Sequence, residues 1–246
     1  ALGKDAYLPL FRNKLNELKI KSEIETISTA ATGAAAISID AAGRNNIIVA
    51  LGANEKLSLA FLDQNKNFFK SAGVVLLQFE TNLAAVDYAL SMAKEAGATT
   101  ILNPAPGIAN LDHTMLEKVD FLTPNETELA IISGRTINMD SEIETACSAI
   151  RGPKAILATL GEKGCLLWKN GEAIRFPAFR VNAIDTTGAG DAFNGGFAAG
   201  LVQYPHDIPR AIQFASALAA ISTTRHGTSA SMPDRAEIEQ FIGSRE

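Results

Sequence analysis

Cysteine is scarce: Cys147 and Cys165 are the only two in 246 residues. They have neither metal-ligand spacing nor a small secreted chain to staple, so buried, reduced thiols are expected, and a reducing cytoplasm follows as the location. Histidine is nearly as rare, and His113, His206 and His226 share no ligand spacing, which places them on the surface. Positive charge is short as well. Lys and Arg number 22 against 27 Asp and Glu, a formal charge of -5, so no basic excess is available to neutralise nucleic-acid phosphates or to hold an anionic membrane. No run approaches the roughly 18 apolar residues needed to span a bilayer. The opening ALGKDAYLPLFRN also lacks a basic region followed by an apolar stretch. Aromatics make up 7%, and the single Trp168 reads as packing. Glycine and proline, at 19 and 9, are close to average and exclude a low-complexity chain.

What is present is enough for a core. Apolar residues are 47% and charged residues 20%, and the length suits one α/β domain over 1–246. Asp5 can cap a helix in which Leu8, Phe11, Leu15 and Leu18 recur at three- and four-residue spacing. Residues 24–50 hold three short β-compatible runs broken at Gly33 and Ala42-Gly43, which reads as strands joined by turns, a separate small sheet. From residue 74 buried strands alternate with helices: strands at 74–79, 100–102, 121–123 and 155–160, helices at 83–96 and from about 125. Strands without in/out alternation, separated by helices, predict a mostly parallel sheet covered on both faces. A hairpin follows at 165–169 and 172–176 around Asn170-Gly171, then helices at about 189–202, 209–224 and 234–243.

The sharpest motif is Asp185-Thr186-Thr187-Gly188-Ala189-Gly190-Asp191-Ala192-Phe193-Asn194-Gly195-Gly196-Phe197. Glycine costs a helix interior about 1 kcal/mol, so Gly195, Gly196 and Gly200 need a compensation such as close backbone packing. The small-residue turn Gly188, Ala189, Gly190 would offer free N–H groups at a helix start, an anion site, with the Asp191 carboxylate beside it. A carboxylate so placed can accept a hydroxyl proton while amides stabilise a phosphoryl group, although a helix-capping aspartate after a glycine turn has the same spacing.

This segment closely resembles the second signature of the ribokinase-like, or PfkB, family of carbohydrate kinases. Three further segments resemble the family in order: Leu102-Asn103-Pro104-Ala105-Pro106, Thr123-Pro124-Asn125-Glu126-Thr127-Glu128 and Thr159-Leu160-Gly161-Glu162-Lys163-Gly164. The likeness runs from about residue 3 to 243. It implies a three-layer Rossmann-like domain with a small β-sheet lid, here about 24–50, that transfers the γ-phosphoryl of ATP to a sugar hydroxyl. D-Ribose, giving ribose 5-phosphate, is the first expectation; deoxyribose, fructose or nucleoside kinases and a non-catalytic nucleotide- or sugar-binding fragment are the alternatives. Family members open with a strand carrying an Asn-x-Asp sugar contact and a GGKGAN-like segment. Neither occurs in the 246 residues, which begin at Ala1, so an N-terminally incomplete domain is expected.

Site roles follow from the resemblance. Asp191 is the catalytic base and a sugar contact, and Gly188, Ala189 and Gly190 form the anion hole. Asn125, Thr159, Leu160, Gly161, Glu162, Lys163, Gly164, Gly190 and Ser216 border ATP. Asn125 and Glu128, three apart on one helix face past a strand end, would meet Mg²⁺ through water; an N-cap asparagine with an acidic first turn has the same pattern. Glu80 matches a sugar-contacting glutamate. Asp185, Thr187, Ser222, Arg225, Gly227 and Ser231 occupy positions around a K⁺ ion, held mostly by backbone oxygens. The implied partners are a sugar and ATP, with neither nucleic acid nor membrane, and a homodimer paired through the β lid.

Overall fold

The computed structural model describes residues 1–39 and 45–245. The chain starts with β1 (Leu2–Gly3), α1 (Tyr7–Glu17) and β2 (Thr26–Ile27), then β3 (Ala34–Ile39) and β4 (Asn45–Ala50). Short helices α2 (Leu59–Gln64) and α3 (Lys66–Lys70) lead to the repeating part. That part runs β5 (Val74–Leu77), α4 (Leu83–Glu95), β6 (Thr99–Leu102), α5 (His113–Leu116), β7 (Phe121–Leu122), α6 (Glu126–Ser133), α7 (Ser141–Ala149) and β8 (Ala155–Thr159). It is followed by β9 (Cys165–Lys169), β10 (Glu172–Phe176), α8 (Ala189–Gln203), α9 (Ile208–Thr223) and α10 (Arg235–Gly243).

Six strands form the central sheet in the order β10-β9-β8-β7-β6-β5. The four strands β5 to β8 are parallel, and β9 and β10 are added antiparallel. Adjacent residues of the inner strands enter opposite cores. Leu102, Leu122 and Leu166 pack with Val86, Leu90, Leu129 and Ile143 on the α4/α6/α7 face. Ile101, Phe121 and Leu167 pack with Phe197, Ala211 and Ala215 on the α8/α9 face. Burial on both faces explains why these strands show no alternation in sequence. Asn170 and Gly171, at φ 55° and 81°, make the β9–β10 turn with the positive φ values the type I′ hairpin requires.

Of the three glycines in α8, two have a packing reason. A Cβ on Gly200 would lie 2.8 Å from Ala211 Cα, and one on Gly196 2.9 Å from Ala215 Cα, so α9 rests on the backbone of α8. Gly195 corrects the expectation, since it faces open space with nothing within 4 Å.

The 24–50 segment needs a similar correction. Only two of its three β runs form the small antiparallel sheet, β3 with β4. The first run, β2, pairs parallel with β1 across α1. The predicted turn at Ala42-Gly43 lies outside the described residues. Asp5 precedes α1 but is not its cap, which is Ala6 without a side-chain bond; Asp5 Oδ1 accepts the Tyr7 N–H at 3.0 Å while Oδ2 accepts Thr32 N–H at 2.7 Å. The apolar stripe of α1 is not buried, however: no residue of the helix is, and Phe11 is 46% exposed.

Candidate functional site

In a parallel sheet the residues just past the strands' carboxyl ends converge on one edge. Here Asn103 follows β6, Thr123 and Asn125 follow β7, and Thr159 ends β8. The start of α8 meets them, and these residues line a cleft of about 180 Å³ together with Glu128, Thr186, Gly188, Ala189, Gly190, Asp191 and Asn194. The lining contains two carboxylates and no basic side chain.

Gly188 is the N-cap of α8, at φ 78°, and caps it without any side-chain hydrogen bond. At the helix start Ala189 N–H donates to Thr186 O at 3.2 Å and Ala192 N–H to Gly188 O at 2.9 Å. The amides of Gly188, Gly190 and Asp191 have no acceptor among the described residues. The free set is therefore shifted from the expected Gly188, Ala189 and Gly190, because the Ala189 amide closes the turn. The Asp191 carboxylate likewise has no hydrogen bond among the described residues, so it does not cap the helix. It opens on the cleft, yet the cleft walls strip enough water from it to push its pKa above the ordinary value.

Asn125 and Glu128 form a capping box at the start of α6: Asn125 Oδ1 accepts Glu128 N–H at 2.9 Å, and Glu128 Oε2 accepts Asn125 N–H at 2.9 Å. Both residues nevertheless line the cleft. Glu128 is 8% exposed, and burial raises its pKa despite the opposing bonds from Asn125. Its Oε1 has no partner among the described residues.

The remaining predicted positions fall around this cleft. Leu160 is in the core at 3% exposure. Gly161, at φ 56°, Glu162 and Lys163 form a single 3-10 turn, and the Lys163 ammonium is paired with Asp140 at 2.7 Å. Gly164 is fixed by sterics: a Cβ there would sit 2.0 Å from Phe176 O. Ser216 lies half-buried on α9, outside the cleft lining. Glu80 is exposed beyond β5, at the same sheet end but outside the cleft lining. Both cysteines are free and buried as expected, and burial pushes their thiols up to about 12. Residues the sequence reading left without a role are Asn103, Thr123, Thr186 and Asn194, all within the motifs it quoted.

Asp185 joins the two loops expected around a cation. Its Oδ1 accepts Thr187 N–H at 2.9 Å and its Oδ2 accepts Gly227 N–H at 3.0 Å. The Gly227 amide, with Thr187, lowers its pKa to about 2. Arg225 turns away, with its guanidinium on Glu237 at 2.5 Å. Ser222 and Ser231 are buried, their hydroxyls bonded to Ala219 O and Thr228 O. Because the native pKa lies below the ordinary 3.8, the stability Asp185 contributes is present above that value and lost as pH falls through about 2. Asp185→Asn is thus expected to lower the melting temperature at neutral pH, by a margin that closes between about pH 4 and 2. Thermal melts of both proteins across that range check it; a constant margin would contradict the assignment.

A larger cavity, about 320 Å³, lies at the opposite, amino end of the strands. It surrounds Asp120, which Lys94 at 2.9 Å and Lys154 at 2.7 Å already neutralise. The carboxyl-end cleft, with amides and the Asp191 carboxylate left without partners among the described residues, is the chemically open one.

Comparisons with known proteins identify the family. The pfkB family carbohydrate kinase pattern matches residues 1–235. A deoxyribokinase of Salmonella typhimurium is 36% identical over 225 residues, 91% of this chain and 73% of that protein. A ribokinase of Haemophilus influenzae is 35% identical over 244 residues, 98% of this chain and 79% of that one. The structure of Arabidopsis thaliana ribokinase complexed with ribose and ATP superposes with a TM-score of 0.86 at 29% identity, covering 98% of this chain and 80% of the other.

Proposed function

The chain belongs to the pfkB family of carbohydrate kinases, and from that premise we propose that its acceptor is D-ribose, phosphorylated at the primary hydroxyl to ribose 5-phosphate. It is an ATP-dependent sugar kinase. The observation that carries the mechanism is the pairing at the start of α8: a carboxylate without a partner beside amides without acceptors among the described residues. Asp191 takes the proton of the attacking hydroxyl, and the Gly188, Gly190 and Asp191 amides receive the charge that develops on the transferred phosphoryl group. Thr159 and the 160–164 turn border the nucleotide, and Glu80 reaches the sugar from the end of β5.

A cleft holding two carboxylates and no basic side chain repels a triphosphate, so the donor set fits a divalent cation. Glu128 Oε1, with Asn125, would hold the water shell of Mg²⁺, which when bound would supply neutralisation of phosphate charge. Glu128→Gln is expected to raise the Mg²⁺ concentration for half-maximal rate several-fold; an unchanged titration counts against this role. K⁺ is proposed between the Asp185–Thr187 and 222–231 loops. The support is an ionised Asp185 joining them.

Relatedness to ribokinases favours ribose, and the Salmonella deoxyribokinase gives 2-deoxyribose as the second reading. Comparing kcat/KM for ribose, 2-deoxyribose, fructose and adenosine, with K⁺ or tetramethylammonium at constant ionic strength, tests both the acceptor and the cation. Ribose first with a K⁺-dependent rate is expected; a preference for another acceptor or indifference to the cation removes the corresponding part. The protein is also proposed to act in the cytoplasm, in keeping with its two free, buried cysteines; no helix among the described residues is long and apolar enough to cross a membrane. It is proposed to pair through the β3–β4 sheet, whose Ile48 and Val49 are 71% and 48% exposed.

A further inference from the structure

Asn194 lies one turn into α8, at 4% exposure, and Thr123 just past β7, at 1%. They are 71 residues apart in sequence, yet Thr123 Oγ1 donates to Asn194 Oδ1 at 2.6 Å. Asn194 Nδ2 donates in turn to Gly190 O at 2.9 Å. The orientation of this amide is forced. A carbonyl can only accept, so Gly190 O must face the NH₂ group, and Oδ1 is left to face the Thr123 hydroxyl, which supplies the proton. The alternative acceptor for that hydroxyl, Leu102 O, is 3.4 Å away. The backbone of Thr123 is held as well, its carbonyl accepting from Asn103 Nδ2 at 3.0 Å.

Gly190 O and Asp191 N–H belong to one planar peptide unit, so fixing the carbonyl fixes the direction of the amide. That amide is one of those left free at the mouth of the cleft, and the next bond of the chain carries the Asp191 side chain. We infer that Thr123 and Asn194 are a positioning pair, which aims the Gly190–Asp191 peptide and the Asp191 carboxylate at the reacting groups from the end of β7. The inference rests on the phosphoryl-transfer reading above and adds to it a buried tie between the strand that leads to Asn125 and the helix that carries Asp191. Such a tie has a plain reason to be polar. An apolar pair would fill the same space but would leave the peptide held by the helix alone, and small misplacements of catalytic groups are costly in rate.

The test uses the conservative pair Thr123→Val and Thr123→Ser, with Asn194→Leu and the double variant Thr123→Val/Asn194→Leu. Thr123→Val loses only a hydroxyl at a strand end. It is expected to lower kcat about 10-fold or more while KM for ATP and sugar stays within about 2-fold, the signature of an interaction that matters in the transition state. Thr123→Ser, which restores the hydroxyl, should recover most of the rate. The double variant should be no slower than the worse single one, since the two residues act as a unit. Lowered melting temperatures with unchanged kcat, or losses that simply add, would overturn the inference. If Asn194→Leu fails to fold, the Val and Ser variants at Thr123 decide the question alone. Asp191→Asn run beside them separates the two levels: if it retains turnover, the underlying reading fails, whereas if only it is inactive and the Thr123 variants are normal, the positioning pair alone is wrong.

Discussion

Replacing Asp191 with asparagine is expected to lower kcat by about 10²–10⁴-fold while leaving the melting temperature unchanged or higher. Asparagine keeps the shape but cannot take a proton. The stability half of the expectation comes from the direction of the pKa shift. Crowding by the cleft walls raises the native pKa, so ionising Asp191 costs the folded state some stability at every pH above the ordinary carboxylate range. Removing the charge removes that cost. A helix-end aspartate placed there for the dipole would behave in the opposite way, with normal turnover and a lower melting temperature. In the parent enzyme the acid limb of kcat/KM should likewise lie above 3.8, the ordinary value for aspartate, because the base must be ionised to act.

The second large effect is structural. Gly200→Val places a branched side chain where a Cβ alone would be 2.8 Å from Ala211 Cα and 2.9 Å from its carbonyl, and backbone atoms cannot turn aside. Overpacking of this kind typically costs about 1–3 kcal/mol, and more when rigid elements must separate. For a chain of this size that corresponds to a melting temperature roughly 2–12 °C lower. Turnover should fall with it, since α8 carries both Asp191 and the free amides. Gly195→Ala is the matched control: with nothing within 4 Å, it should stabilise α8 by about 0.5–1 kcal/mol. Calorimetry on the two variants checks the pair. Similar effects at the two positions would mean that α8 and α9 do not pack through their backbones.

The contrast between these glycines shows where sequence reasoning ends. Three glycines in a helix announce a compensation, but which of them touches a neighbour depends on how α9 is phased against α8. The sheet was legible because buried parallel strands lack alternation: runs read at 74–79, 100–102, 121–123 and 155–160 correspond to β5 to β8. The helix at 141–149 is not evident in the sequence, and the apolar stripe of α1 lies exposed. Periodicity reports which face is apolar, not whether anything covers it. In the site, Asp191, Asn125 and Glu128 were visible as residue types at meaningful spacing. The use of the Ala189 amide by Thr186 and the Thr123–Asn194 bond were not, because each joins groups by direction as well as by proximity.

In the proposed reaction Asp191 directs transfer of the γ-phosphoryl of ATP to the primary hydroxyl of ribose. Phosphorus NMR of a reaction containing the protein, ATP and D-ribose, beside one with 5-deoxyribose, tests it directly. The expected result is one ribose 5-phosphate formed per ADP, with no sugar phosphate from 5-deoxyribose and none from the Asp191→Asn variant. ADP accumulating without a sugar phosphate, or phosphate appearing on 5-deoxyribose, would contradict it.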